Sequence, residues 1–317
     1  MALVGNAPII EWEAPKLKAF GTAPVMFRHT LSDNPLFSNA ALARVIDTAD
    51  RDDYYVNTMD RTGHNRASRR EGEIRDLSGA QVIDAIHNGT LWLLLLNPQK
   101  ADPAYADLLE AIYAEMSRMV PGFRTSFRKM TLLISSPRVQ VHYHCDIPGQ
   151  TLWQVRGEKR VHIYPNKAPF LDQHALEEIA LGEAHEFTLP YAEDYDRHAT
   201  VLDLKPGHML HWPLNAPHRI VNGDCVNVSF TTEHFTRSNR RSFYVNYANG
   251  VLRKRLGWRD LSQSSSGPAY WAKLGVATGY KLLRRKSSGG KTMRIDFAVD
   301  PAAADCVRDL PPYEIRR

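Results

Sequence analysis

Nine of the thirteen histidines fall between His142 and His218, and that is where the chemistry of this chain is to be sought. In VHYHCDIPG an extended strand turns alternate residues the same way, so His142, His144 and Asp146 project together, with Tyr143 and Cys145 on the opposite face. An imidazole and a carboxylate two apart on a rigid strand are two ready metal ligands. PGHMLHWPLNAPHRIVN supplies a third, His218, five residues after Pro213 and four before Asn222. Two histidines and one carboxylate occupy one face of an octahedral ion and leave positions for a bidentate cosubstrate and for dioxygen, the arrangement of non-haem Fe(II) oxygenases. His142 is the competing ligand, since with His144 it would make a two-histidine pair; a strand-end histidine is more often packed or hydrogen-bonded, and His144 with Asp146 is preferred. His208 and His211 read as structural or substrate-facing.

Strands must carry these groups. From Phe127 onward MTLLIS, RVQVHYHCD, TLWQVR, KRVHIYP, ATVLDL, HMLHWP, HRIVN and CVNVSFTTEH are short strand-like runs separated by turn residues, as in a β-sandwich or barrel. Arg156-Gly157-Glu158-Lys159 predicts a tight hairpin and Pro206-Gly207 another turn, while Leu171 to Leu181 has helical spacing and stops at Gly182. The first 125 residues read mostly as helices around short strands. Ser38 caps one, Ser78 with Gln81 forms a capping box for a second, and Asp102-Pro103 opens a third; TLWLLLLN, residues 90–97, is a buried strand. Helical patterns return around Tyr244–Leu256 and Tyr270–Leu283, broken by SQSSSG at 262–267 and SSGG at 287–290. The chain therefore divides into a helical N-terminal region (1–125), a strand-rich core (126–235) and a basic, helical C-terminal region (236–317).

Composition sets the limits. With 317 residues, 43% apolar and 24% charged, the chain is neither disordered nor of low complexity and can bury a large core. Cys145, Cys225 and Cys306 form no CxxC pair, which argues against a disulfide framework and a cysteine-ligated zinc. The longest apolar run, Leu91 to Leu96, is too short to span a bilayer, and the first residues carry acids where a signal peptide needs basic and apolar blocks; a soluble, cytoplasmic protein without a membrane partner is expected. Residues 236–317 hold 17 Lys and Arg against 6 Asp and Glu, so the net charge of +5 hides a basic tail on an acidic body.

PGxxxxxPxxxxHxxxN has the spacing of the second cupin motif, with Asn215 in place of its usual glycine. Thirteen residues after Asp146 comes Lys159, and HCDIPGQTLWQVRGEKRVHIYP resembles the jumonji-C and cupin-like hydroxylase family, the kind to which the asparaginyl hydroxylase that inhibits the hypoxia-inducible factor belongs. The resemblance covers roughly residues 130–234. It implies an α+β fold with a double-stranded β-helix (cupin, jelly-roll) core and helical elements at both ends. It also implies Fe(II) bound by the catalytic residues His144, Asp146 and His218, and 2-oxoglutarate whose distal carboxylate is held by Lys159.

That role suits a lysine, because a dicarboxylic keto acid chelating iron leaves a carboxylate deep in the barrel that needs a cation or several donors. The sequence departs from the family at His208, where an acid usually follows PG, at Asn215, and at Gln150, where the human relative has an asparagine that contacts 2-oxoglutarate. Gln150 and Ser229 are the candidates for the second carboxylate anchor, and Trp92 falls where relatives carry a cosubstrate-contacting tyrosine. The implied activity is 2-oxoglutarate-dependent hydroxylation, by dioxygen, of an unidentified protein side chain or small molecule. The alternative is a cupin-fold metal-binding regulatory or interaction protein without 2-oxoglutarate turnover.

Related hydroxylases dimerise through a C-terminal helical segment, and here Phe243, Tyr244, Tyr247, Val251, Leu252 and Leu256 form an apolar stripe suited to a homodimer. Nucleic-acid binding through Arg253-Lys254-Arg255 and Arg284-Arg285-Lys286 is the less favoured use of the basic tail.

Overall fold

The fold was obtained as a computed structural model and is described for residues 9–61, 69–285 and 292–316. The N-terminal part runs β1 (Ile10–Glu11), α1 (Ala14–Leu17), β2 (Val25–His29), α2 (Asn39–Thr48), β3 (Tyr54–Thr58), β4 (Glu71–Glu73), α3 (Gly79–Asn88), β5 (Leu91–Leu95) and α4 (Ala104–Met119). All eight strand-like runs of the central region become strands: β6 (Thr125–Ser135), β7 (Gln140–His144), β8 (Gly149–Arg156), β9 (Lys159–Ile163), β10 (Thr200–Leu204), β11 (His208–His211), β12 (His218–Asn222) and β13 (Asn227–Thr236). Helix α5 (Gln173–Leu181) is inserted between β9 and β10, and α6 (Arg237–Leu256), α7 (Gly267–Arg285), β14 (Thr292–Val299) and β15 (Val307–Arg316) complete the chain. The expected loop at 287–290 lies outside the described residues.

Local chemistry accounts for the punctuation. The Ser38 hydroxyl accepts from Ala41 N, Ser78 and Gln81 close their capping box, and Gly157 takes a φ of +75° in the β8–β9 hairpin. A Cβ on Gly157 would also stand 2.4 Å from the Val226 carbonyl oxygen, so only glycine fits there.

The strands form a mixed α+β architecture of two sheets among the described residues: a large one in the order β1-β2-β11-β8-β13-β6-β5-β3-β4-β14-β15, and a small one in the order β10-β9-β12-β7. Between them lies one apolar core, with Trp92, Leu133, Leu152 and Leu210 from the large sheet against Val141, Val161, Ile163 and Ile220 from the small one. A second core covers the other face of the large sheet, where α2, α3 and α4 bury Leu42, Val82, Ile112 and Met116. Along β11, Met209 belongs to the outer core and Leu210 to the inner one, the alternation that a half-wrapped strand requires. Buried Glu115 of α4 ties down the N-terminal strand, accepting from Ile9 N at 2.8 Å, Ile10 N at 2.9 Å and Trp12 Nε1 at 2.8 Å.

The first 125 residues form helices around short strands, and those strands, β1 to β5, join the large sheet; the C-terminal region is not helical throughout, since it ends in a hairpin whose β14 runs parallel to β4. The apolar stripe of α6 is also occupied within the chain. Tyr247, Ala248 and Val251 pack on Leu181 of α5 and Ala277 of α7, and Lys281 sits 4.4 to 5.0 Å over the rings of Phe243, Tyr244 and Tyr247, leaving Leu256 exposed. The basic run is engaged too: Arg253 bonds Glu177 at 2.8 Å, Lys254 bonds Glu183 at 2.5 Å, and Arg255 bonds the Tyr280 hydroxyl at 2.8 Å. No described helix is long and apolar enough to cross a membrane.

Candidate metal centre

Strand alternation alone would put His142 beside His144, and a bulge prevents it. On β12 two steps, His218 to Ile220, oppose three on β7, His144 to Val141, so His144 and Val141 both face inward. His142 is directed elsewhere, its Nε2 3.9 Å from Asp60 Oδ2. Asp146 follows the end of β7, and His218 opens β12 directly opposite His144. One ligand atom from each of His144, Asp146 and His218 lies within 4.8 Å of the others, and His218 Nε2 is 3.5 Å from Asp146 Oδ2.

Both imidazoles are set for coordination. His144 Nδ1 donates to the His142 carbonyl at 2.8 Å and His218 Nδ1 donates to the Ala216 carbonyl at 3.1 Å, which fixes the tautomer and leaves each Nε2 lone pair facing the site. Phe187 stacks on the His144 ring at 4.5 Å, and Trp212 leans on His218 at 4.7 Å. Burial holds both histidines neutral, with His218 lowered to about 4 and His144 well below its ordinary value. Asp146 is pushed well up, by burial first and then by the charges of Glu186 and Glu233. A buried, acid-flanked carboxylate between two neutral imidazoles is a donor set that a divalent cation satisfies, taking the place of the proton that the raised Asp146 otherwise holds.

The three groups open onto a cavity of about 390 Å³. Its walls at the metal level are Gln150, Glu233 and Lys129, adjacent in register on β8, β13 and β6. Deeper lie Thr131, Leu133, Val141, Leu152 and Ile220, and Trp92 closes one side. From the insertion between β9 and β10 come Ala184, His185, Glu186 and Phe187 over the mouth, with the Arg69 guanidinium 5.0 Å from the Phe187 ring.

Lys159 does not line this cavity. It faces the same interior farther down, on the face of β9 that carries Val161 and Ile163, four residues from the Ile163 that pairs with His218. That is about 13 Å along the strand. The ammonium is fully buried and donates to Ser229 Oγ at 2.9 Å, its one hydrogen-bond partner among the described residues. Burial lowers its pKa to about 7. Ser229 belongs to the inward face of β13, two steps below Thr231, so it and Lys159 lie between the two sheets on the side of Thr231 away from Glu233.

Of the remaining candidates, Gln150 stands at the centre but against Asp146: its side-chain nitrogen, oriented by the hydrogen-bonding network, donates to both carboxylate oxygens, to Oδ1 at 3.1 Å. His211 is on the outer face of β11, stacked on Phe20 at 3.9 Å and bonded to the Gln150 carbonyl at 2.9 Å, which is a structural placement. His208 is away from the cavity, bonded to Lys205 N. Sequence spacing did not find Arg69, Lys129, Glu186, Phe187, Trp212 or Glu233. Trp212 and Glu233 sit inside quoted motifs and could have been found by alternation from Leu210 and Ser229, whereas Glu186 and Phe187 belong to an insertion with no pattern of its own.

Behind His218 the outward Arg219 fastens the insertion to the small sheet. Its Nε donates to Tyr164 Oη at 2.9 Å and its Nη2 pairs with Asp196, which also accepts from Tyr191 at 2.9 Å. Burial raises Asp196, but the bonds from Arg219, Tyr164 and Tyr191 outweigh it and hold the carboxyl down at about 2. A folded-state pKa below the ordinary 3.8 means stability that is fully present above pH 4 and lost as pH falls toward 2. With Asp196 about a third exposed, the loss is about 1 kcal/mol. Thermal melts at pH 5 and pH 2.5 should show a smaller pH-induced drop in Asp196→Asn than in the wild type.

No protein-family model matches the chain, and no curated protein sequence does. Among solved structures it is similar to E. coli ycfD, at 16% identity over 88% of this chain and 69% of that one, with a TM-score of 0.50. Two further structures of E. coli YcfD, both described as a ribosomal oxygenase and the second in complex with cobalt and 2-oxoglutarate, align at 16% identity with TM-scores of 0.46 and 0.45, covering 88% and 87% of this chain and 68% of each of those chains. At this identity the likeness is one of fold.

Proposed function

We propose that this chain is an Fe(II)- and 2-oxoglutarate-dependent oxygenase that hydroxylates a C–H bond of a protein side chain or small molecule, built on a double-stranded β-helix formed by the two facing sheets. One observation carries the reading: His144, Asp146 and His218 converge at a cavity between the two sheets, and Lys159, buried and with no anionic hydrogen-bond partner among the described residues, lies farther down on the inward face of β9. The two Nε2 atoms and the Asp146 carboxylate would hold the metal, on the donor-set grounds given above. Iron with 2-oxoglutarate would supply there an oxidant made from dioxygen, with succinate and carbon dioxide as coproducts.

The protein's own part is to bind, orient and keep water out. Lys159 offers its ammonium to the distal carboxylate, and Ser229 offers a hydroxyl beside it. Leu133, Val141, Leu152 and Ile220 line the cavity with apolar side chains and would pack against the methylene groups of the keto acid. Phe187 and Trp212 brace the two imidazoles from outside the ligand set. YcfD, named a ribosomal oxygenase, would share this reaction class, and its substrate is not carried over. The test is release of labelled carbon dioxide from 2-oxoglutarate labelled in its C1 carboxylate. The iron-loaded protein should release it and the metal-free protein should not. A protein that binds metal but neither binds nor consumes the keto acid would instead fit the non-enzymatic cupin reading.

A homodimer through the C-terminal helices is part of this proposal, with its surface moved. Since α7 covers the α6 stripe except Leu256, the apolar groups that α7 itself turns outward are Trp271, Leu282 and Leu283, alongside Gly275 and Gly279, above which there is open space. Sedimentation velocity should show a dimer that Trp271→Asp with Leu282→Asp converts to monomer. A monomeric wild type would remove this part of the proposal.

A further inference from the structure

Asp146 is the one ligand not carried within a paired strand, since β7 ends at His144. Something else must hold it. Its backbone carbonyl accepts a bond of 2.6 Å from the Asn215 side-chain Nδ2, and its carboxylate accepts from the Gln150 amide. Asn215 sits three residues before His218, in the turn between β11 and β12, with a φ of +57°. That left-handed conformation suits glycine or asparagine, and the glycine of the cupin motif would meet it without offering a donor. The next residue is Ala216, whose carbonyl holds the His218 ring in its tautomer and whose N–H closes the turn onto Pro213 O at 3.0 Å. One asparagine thus joins the loose end bearing Asp146 to the turn that aims His218. Gln150 in turn is anchored from behind, its carbonyl bonded to His211 Nδ1 at 2.9 Å and its neighbour Thr151 bonded to the same nitrogen at 3.1 Å.

We propose that Asn215 and Gln150 are positioning residues for the metal centre, Asn215 locking the backbone of Asp146 to the His218 turn and Gln150 fixing the orientation of the Asp146 carboxylate. The inference rests on the metal reading above and deepens it. It gives the amide at 215, a departure from the motif, a task that glycine cannot perform, and it moves Gln150 from the cosubstrate to the ligand it touches. Outer partners of metal ligands typically set affinity by about 10- to 100-fold.

The experiment is titration of Co(II) into the full-length metal-free protein, read by calorimetry and by the visible absorption of the bound ion, with thermal melts of the metal-free proteins alongside. Asn215→Gly and Asn215→Asp both tolerate the left-handed turn, and neither places an N–H on the Asp146 carbonyl. Both should bind Co(II) about 10- to 100-fold more weakly and with an altered visible band, while melting within a few degrees of the wild type. Gln150→Ala should weaken binding by a similar factor. Wild-type affinity and spectrum in both Asn215 variants, or weakening in Asn215→Gly alone, would overturn the assignment of that bond, and wild-type behaviour of Gln150→Ala would overturn its half. Failure of the wild type to bind Co(II) at all would instead overturn the metal reading on which the inference stands.

Discussion

Alanine at His144 or at Asp146 is expected to abolish stoichiometric binding of a divalent metal and all consumption of 2-oxoglutarate while the protein stays folded. Each substitution removes one of three donors from a centre with no described spare: His142 is turned toward Asp60 by the β7 bulge, and Glu186 and Glu233 are not in the ligand cluster. The loss should exceed the roughly 100-fold that removal of an outer partner gives. The fold should survive because β7 keeps its backbone pairing with β12 whatever side chain it carries. Asp146→Ala should even leave the metal-free protein no less stable than the wild type, since it removes a buried carboxylate that sits beside two other acids. Metal content after dialysis, with a melt of each variant, checks both halves. His142→Ala is the control and should retain its metal; if it lost metal while Asp146→Ala kept it, the ligand set would be a two-histidine one and the oxygenase reading would fail.

Lys159→Ala should leave metal binding intact and weaken 2-oxoglutarate by about 1.5–3 kcal/mol, or roughly 10- to 150-fold, the scale of a hydrogen bond to a charged group. The separation follows from the 13 Å of strand between Lys159 and the metal level, estimated from the four-residue register along β9. A pH signature accompanies it. Burial sets the Lys159 pKa at about 7, so the protonated form that pairs with a carboxylate is present below that value and is lost as pH rises through it. Affinity for 2-oxoglutarate should therefore decline above pH 7 in the wild type. In Lys159→Arg, whose guanidinium keeps its proton, the decline should be absent. Equal affinity in wild type and Lys159→Ala would make the lysine structural.

The parts of this account that were legible in the sequence are those governed by short-range rules. Eight alternating runs predicted eight strands, Gly157 and Gly207 marked turns that need positive φ, and Ser38, Ser78 and Gln81 announced helix starts through their own capping bonds. The cluster of His144, Asp146 and His218 was legible because two of its members share a strand end and the third follows a fixed turn. Tertiary pairing set what was not. The bulge that parts His142 from His144 depends on how β7 meets β12, and alternation along one strand is blind to it. Strands β1 to β4 are too short to be located one by one from their residues, and pairing with β11 and β5 is what sets their places. The α6 stripe was correctly seen as apolar, but the sequence could not say that α5 and α7 of the same chain would cover it. Asn215 and Gln150 looked like departures from a motif because their bonds to Asp146 are set by the fold, Asn215 lying 69 residues away in sequence and Gln150 reaching back across the turn that opens β8.

The central claim is that one interior holds a metal at His144, Asp146 and His218 and a dicarboxylate reaching from that metal to Lys159. Calorimetric titration of 2-oxoglutarate into Co(II)-loaded and metal-free protein under nitrogen addresses it most directly. The account predicts binding at one site per chain in the Co(II) form, weakened at least 10-fold when the metal is removed and, separately, when Lys159 is replaced by alanine, with succinate competing. Affinity that is indifferent to the metal, or no binding to the Co(II)-loaded protein, would contradict it.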